Sequence, residues 1–162
     1  AETAEGRALL AAAPKAGPAD GGEDGLLPLL VCAAGEARFA LPVSEVATVL
    51  APRPPLPLPA AGAPALRGVV AHRGEVLPLI DIDPRLAAPF AEAALAASPM
   101  IRLVLPRPVA VPVQRILGLQ MMPRRAIRAV AGDAIVAAMV QFEGAGVPLC
   151  RAASLAAPVG TA

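Results

Sequence analysis

The chain has 162 residues, 56% of them apolar, with a net charge of +1, no Trp or Tyr and three Phe. That length suits one domain, or two small lobes sharing a core, and so few aromatic residues argue against a base-stacking nucleic-acid module or a carbohydrate site. The charge is uneven: two basic and five acidic residues in 1–25, five Arg and six acids in 26–99, seven Arg and two acids in 100–162, so the C-terminal part either meets an acidic partner or presents a solvated basic face.

Residues 1–25 are Ala, Gly, Pro and acid without periodicity and are expected to form a disordered tail. They carry no basic stretch leading into an apolar one, as a signal peptide would. The longest apolar run, Leu26 to Ala34, is nine residues with Pro28 inside it, too short to cross a bilayer. A cytoplasmic protein without membrane insertion is the expectation.

Structure is expected from Leu26. Leu29–Cys32 and Arg38–Val43 read as a hairpin turning across Ala33-Ala34-Gly35-Glu36. Ser44 is a plausible N-cap, and Val46, Val49 and Leu50, spaced by three and four, suggest one short apolar helical face. Residues 51–65, APRPPLPLPAAGAPA, lack too many backbone donors for a central strand and read as an extended crossover; their PxxP spacing also fits an SH3 or WW groove.

Gly68–His72 and Val76–Ile80 form a second hairpin around Arg73-Gly74-Glu75, its arms apolar enough to suggest burial on both faces. Asp83 is placed to cap a turn begun by Pro84. Residues 86–98 are an Ala-rich helix or linker with Phe90, Ala94 and Leu95 on one side. Met100–Leu105 and Val109–Val113 then repeat the first hairpin, Gln114–Gln120 the short helix, and Ile135–Phe142 with Gly146–Arg151 the second hairpin.

The repeat is gapless at an offset of 70. Phe39-Ala40-Leu41-Pro42-Val43 falls on Val109-Ala110-Val111-Pro112-Val113, and Gly74, Pro78 and Leu79 fall on Gly144, Pro148 and Leu149. A duplication decides the architecture before any local reading does. Each copy, with about five short strands, suits a small closed barrel, giving lobes at about 26–90 and 97–157.

Little in the repeat is reactive. His72 is the only histidine and has no neighbouring ligand type, so neither a metal site nor a general base is indicated. Asp81 and Asp83 form a DxD, but their positions suit structural roles. No phosphate loop or dinucleotide fingerprint is present, and no catalytic residue, metal or cofactor is expected. Cys32 and Cys150 sit in apolar runs and read as small core residues, with their disulfide state open. Gly74 and Gly144 are expected at positive φ in their turns. Arg73, at a hairpin tip, either brackets a partner carboxylate or braces its own loop.

The run RFALPVSEVATVL, the Pro-rich crossover and LRGVVAHRGEVLPLIDI together resemble the CheW-like domain family. The family's Gly-Val-(Ile/Val)-Asn-Leu-Arg-Gly stretch reads Gly68-Val69-Val70-Ala71-His72-Arg73-Gly74 here, and the ending Pro-(Val/Ile)-(Val/Ile)-Asp-Leu reads Pro78-Leu79-Ile80-Asp81-Ile82. The resemblance covers 26–157. It implies an all-β fold of two tandem five-stranded SH3-like barrels with short helical connectors, monomeric alone. It also implies a non-catalytic adaptor that couples the tip of a methyl-accepting chemoreceptor to the regulatory domain of a CheA-type histidine kinase. Partner contact would fall on Val46, Val49, Leu50, Val69, His72, Arg73 and Gly74, with the receptor helix gripped between the barrels.

Three residues depart from the family. Asn-Leu is Ala71-His72, and the acid expected three residues after Glu45, which can pair with the Arg matching Arg73, is Thr48. Arg73 must then find Glu45 or Asp81, or lie in solvent. Two other readings compete: a nucleic-acid-binding pair of barrels, resting on the basic second half and Arg124-Arg125-x-x-Arg128, and a CheW-like regulatory domain belonging to a larger kinase or receiver-linked protein.

Overall fold

A computed structural model describes residues 25–57 and 65–158; the expected tail, apart from Gly25, and residues 58–64 of the crossover lie outside them. The strands are β1 (Leu26–Ala34), β2 (Ala37–Pro42), β3 (Val46–Leu50), β4 (Leu66–His72), β5 (Glu75–Ile80), β6 (Met100–Leu103), β7 (Ala110–Pro112), β8 (Arg115–Pro123), β9 (Arg128–Ala129), β10 (Val136–Phe142) and β11 (Ala145–Cys150). Two short helices, α1 (Glu92–Ala96) and α2 (Ala152–Leu155), and two 3-10 turns complete the described chain. The expected all-β class holds. One sheet has six strands in the order β8-β1-β2-β11-β10-β9, the other five in the order β3-β6-β7-β5-β4.

Each sheet contains strands of both repeats, so the sheets do not follow the division into 26–90 and 97–157. The first hairpin, β1–β2, leaves its own repeat to pair with β8 and β11 of the second. The corresponding hairpin β6–β7 pairs with β3 and β5 of the first. The exchange obeys the repeat: the parallel contacts are Leu149↔Ala40 and Leu79↔Ala110, each residue of one pair 70 positions from its counterpart in the other. The physical reason is burial. A hairpin apolar on both faces needs a core on each side, and only a place between one unit's own core and the shared core supplies both.

Three cores result. Leu29, Val31, Ala40, Val140, Val147 and Leu149 fill the six-stranded unit. Leu50, Val70, Leu77, Leu79, Met100 and Ala110 fill the five-stranded one. Between them lies a shared core containing Leu30, Cys32, Phe39, Leu41, Ile101, Leu103, Val111, Val113, Cys150 and Leu155. Alternation along β1 explains its all-apolar sequence: Leu29 and Val31 face the six-stranded core while Leu30, Cys32 and Ala34 face the shared one. Burial on both faces therefore belongs to β1, β2 and β7, whereas in β4 and β5, expected to be so, buried positions alternate with half-buried ones and the residues nearest the tip are half-buried or exposed. Cys32 and Cys150 are free, buried thiols, and burial pushes both up to about 12, as suits small core residues.

The segments following the two repeats clamp the shared core. Asp83 N donates to Leu155 O and Ala157 N to Asp81 O. The Glu45 carboxylate accepts from Ala152 N at 2.6 Å and pairs with Arg151. Asp83 does cap its turn, accepting from Arg85 N at 2.9 Å, and the Arg85 side chain bonded to it holds its carboxyl below the usual range.

Two expected helices are strands. Val46–Leu50 is β3, after a 3-10 turn in which Ser44 makes no cap bond, and Gln114–Gln120 lies mostly within β8. Both segments are short and find hydrogen-bond partners in β6 and β1, and tertiary pairing outweighs a weak local preference. In α1 only Leu95 of the expected face is buried; Phe90 precedes the helix and is half-buried, and Ala94 is exposed.

The crossover returns along β4: Leu56 and Val69 exchange backbone hydrogen bonds at 2.8 and 2.9 Å. Gly68 sits beneath it at φ +140, and a Cβ there would lie 2.5 Å from Leu56 O. Gly68→Ala is expected to cost about 2–3 kcal/mol, because a strained φ is compounded by a clash with backbone. Gly74→Ala, at φ +81 with open space around it, should cost about 1 kcal/mol. Urea denaturation of the two variants checks the difference.

Candidate functional site

The β4–β5 tip turns over two residues, Arg73 at φ 53 and Gly74 at φ 81, the left-handed pair that a tight hairpin requires. The corresponding tip of β10–β11 has Glu143 at φ 54 and Gly144 at φ 81. The turn thus explains both glycines and both backbone shapes. It does not explain why one tip carries a guanidinium and the other a carboxylate.

Thr48, from β3, faces the same hollow as His72 and Arg73. With Ala47 and Arg102 they line a cavity of about 180 Å³. The sheet curls so that its two edge strands, β3 and β4, approach at this end. Thr48 is the ladder neighbour of Arg102, and Arg102 pairs with Glu75, the residue opposite His72 in its hairpin. Arg53 of the crossover donates to Ala71 O at 2.7 Å.

Charge at this mouth is one-sided. Partial burial, then the charges of Arg73, Arg53 and Arg102, push His72 below its ordinary range, with Glu75 opposing. Neither acid considered as a partner for Arg73 is available to it. Asp81 is held by Arg67 at 2.9 Å and is raised by its burial despite that contact; Glu45 is held by Arg151. Among the described residues Arg73 makes no ion pair, and it is exposed.

The seven residues chosen from sequence separate into two groups. Val46 and Leu50 are core: Val46 in the shared core and Leu50, 1% exposed, inside the five-stranded unit. Val69 is half-buried and its backbone is bridged by Leu56. Val49, 42% exposed, lies beside Thr48, and His72, Arg73 and Gly74 form the rim. Of the three residues that depart from the family pattern, Thr48 and His72 meet in space, lining one cavity, while Ala71 is not part of its wall. Arg53 and Arg102 were missed. Arg102 had a signal: a lone charge in an apolar strand whose repeat counterpart is the buried Cys32. The basic cluster Arg124, Arg125 and Arg128 occupies a 3-10 turn and β9 and is exposed.

Among the described residues, no group of His, Cys, Asp and Glu is placed to hold a metal ion, and no helix is long and apolar enough to cross a membrane. The arrangement is a two-unit β scaffold with a charged hairpin mouth, a form suited to recognition.

Residues 28–157 match the CheW-like domain, and the chain belongs to that family. Its fold is similar to that of the scaffolding protein TtCheW from Thermoanaerobacter tengcongensis, with a TM-score of 0.66 at 15% identity over 77% of this chain and 88% of that one. Compared by sequence with curated proteins, the chain has no match.

Proposed function

We propose that this protein is a non-catalytic signalling adaptor that couples the cytoplasmic tip of a chemoreceptor to the regulatory domain of a CheA-type histidine kinase. Membership of the CheW-like family over residues 28–157 carries the reading. The exposed Val49, Arg73 and Gly74, with the half-buried His72, supply the partner surface. Arg73 supports it most directly, since its guanidinium, at a hairpin tip and without an ion pair among the described residues, is open to another chain. Adaptor action is then geometric: receptor and kinase are held in fixed register, so the receptor's conformation biases the kinase.

Calorimetry of the purified chain against the regulatory domain of a CheA-type kinase from the same cell tests this. Micromolar or tighter binding that persists at moderate salt is expected. Absence of binding to every such kinase domain and receptor tip of that cell would refute it.

A further inference from the structure

We propose that the mouth formed by Thr48, His72, Arg73 and Arg102 recognises a carboxylate side chain, Glu or Asp, presented by a partner protein. The proposal rests on the adaptor reading and names the chemistry of its partner at this site. Three guanidiniums, Arg53, Arg73 and Arg102, act on His72 against one carboxylate, Glu75. Arg102 is engaged by Glu75 and Arg53 by Ala71 O. Of the three, Arg73 alone keeps its full set of donors among the described residues, and a planar fork of donors is matched by a carboxylate.

The second half of the molecule serves as an internal control. It repeats the hairpin backbone, yet the residues 70 positions from Thr48, His72, Arg73 and Arg102 are Gly118, Phe142, Glu143 and Cys32. Folding the repeat does not require the basic mouth, since one copy is built without it. Its surroundings favour a protein over a free anion or a nucleic acid. Val49 and Val76, 42% and 66% exposed, give β3 and β5 apolar surface on the strand faces opposite Thr48 and Glu75, so exposed apolar side chains accompany the charged mouth, as in protein–protein contacts. The absence of Trp and Tyr removes the usual stacking platform for bases.

Occupancy has a thermodynamic consequence. The groups acting on His72 are Arg53, Arg73, Arg102 and Glu75. A carboxylate docked on Arg73 offsets the arginines and favours the imidazolium, so the His72 midpoint rises on binding. By linkage, binding is tighter when His72 is protonated.

His72, the only histidine, is a one-signal reporter. The full chain would be titrated with a blocked tetraglutamate peptide while the His72 ring resonances are followed by NMR. The expected result is a saturable shift and a titration midpoint raised by about half a pH unit. Arg73→Ala should weaken binding about tenfold, while Arg128→Ala leaves it unchanged. Any of three results would overturn the proposal: no shift, an equal shift in Arg73→Ala, or an equal response to inorganic phosphate, which would make this a small-anion site. The adaptor reading is separable. A kinase domain that binds the chain and its Arg73→Ala and Arg102→Ala variants equally would keep the adaptor and remove the carboxylate site. Peptide recognition without any kinase or receptor binding would do the reverse.

Discussion

Residues 25–90, expressed alone, should not fold as a monomer, and neither should residues 97–158. In the intact chain β1 pairs with β8 from Leu26↔Pro123 to Ala33↔Arg115, and β3 pairs with β6 from Val46↔Leu103 to Leu50↔Met100. A cut between the repeats removes both ladders together with the parallel contacts of β2 and β7. It leaves Leu30, Phe39 and Leu41 on one fragment, and Ile101, Leu103 and Val111 on the other, without the shared core that buries them. Unpaired strand edges and an open apolar face leave too little burial to offset chain entropy. Circular dichroism and NMR of each fragment should show a disordered or aggregated chain, and an equimolar mixture should recover native dispersion. A dispersed spectrum from either fragment as a monomer would show that the exchanged hairpins are dispensable. The same exchange predicts one cooperative transition on unfolding the whole chain, because neither sheet can open while keeping its full set of strands.

The second large effect is expected at Phe39. It is fully buried, at 0% exposure, and belongs to the shared core with Leu41, Val111 and Leu155. Its neighbour Ala40 makes the parallel contact to Leu149, so Phe39 lies where the exchanged hairpin meets the second repeat. Phe39→Ala should lower stability by about 3–5 kcal/mol, through lost transfer energy and an incompletely closed cavity. Against a total of about 5–15 kcal/mol, that is a large share. Urea unfolding should show a lower midpoint with a similar slope. Because the core is common to both sheets, hydrogen-exchange protection should fall in β4–β5 as well as in β10–β11. A loss confined to one hairpin pair would mean that the two units are held independently.

Several features could be read from residue order alone. The spacing of 70 located the second hairpin of each repeat to the residue, since β4 and β10 and then β5 and β11 begin and end 70 residues apart. The glycines at both tips announced left-handed turns, because at that backbone shape a side chain is strained and glycine is not. The misreading of β3 also has a local cause. Val46 packs in the shared core and Leu50 in the five-stranded one, because the ladder with β6 shifts register between Val46 and Thr48. That shift, with the polar Thr48 beside it, broke the period of two and left Val46, Val49 and Leu50 at helical spacing. Thr48 itself is, in the folded chain, part of the cavity wall.

Residue order by itself determined the repeat, the β class, the positions of the hairpins and the family, because these rest on local periodicity, turn chemistry and a contiguous motif. The tertiary structure decided which hairpin pairs with which repeat, and it alone brought Thr48, His72, Arg73 and Arg102 to one mouth. Two similar repeats offer each hairpin two similar partners, so local pattern cannot choose between them. The choice falls to burial of both faces of β1 and β2, a property of the whole assembled core and of no single segment.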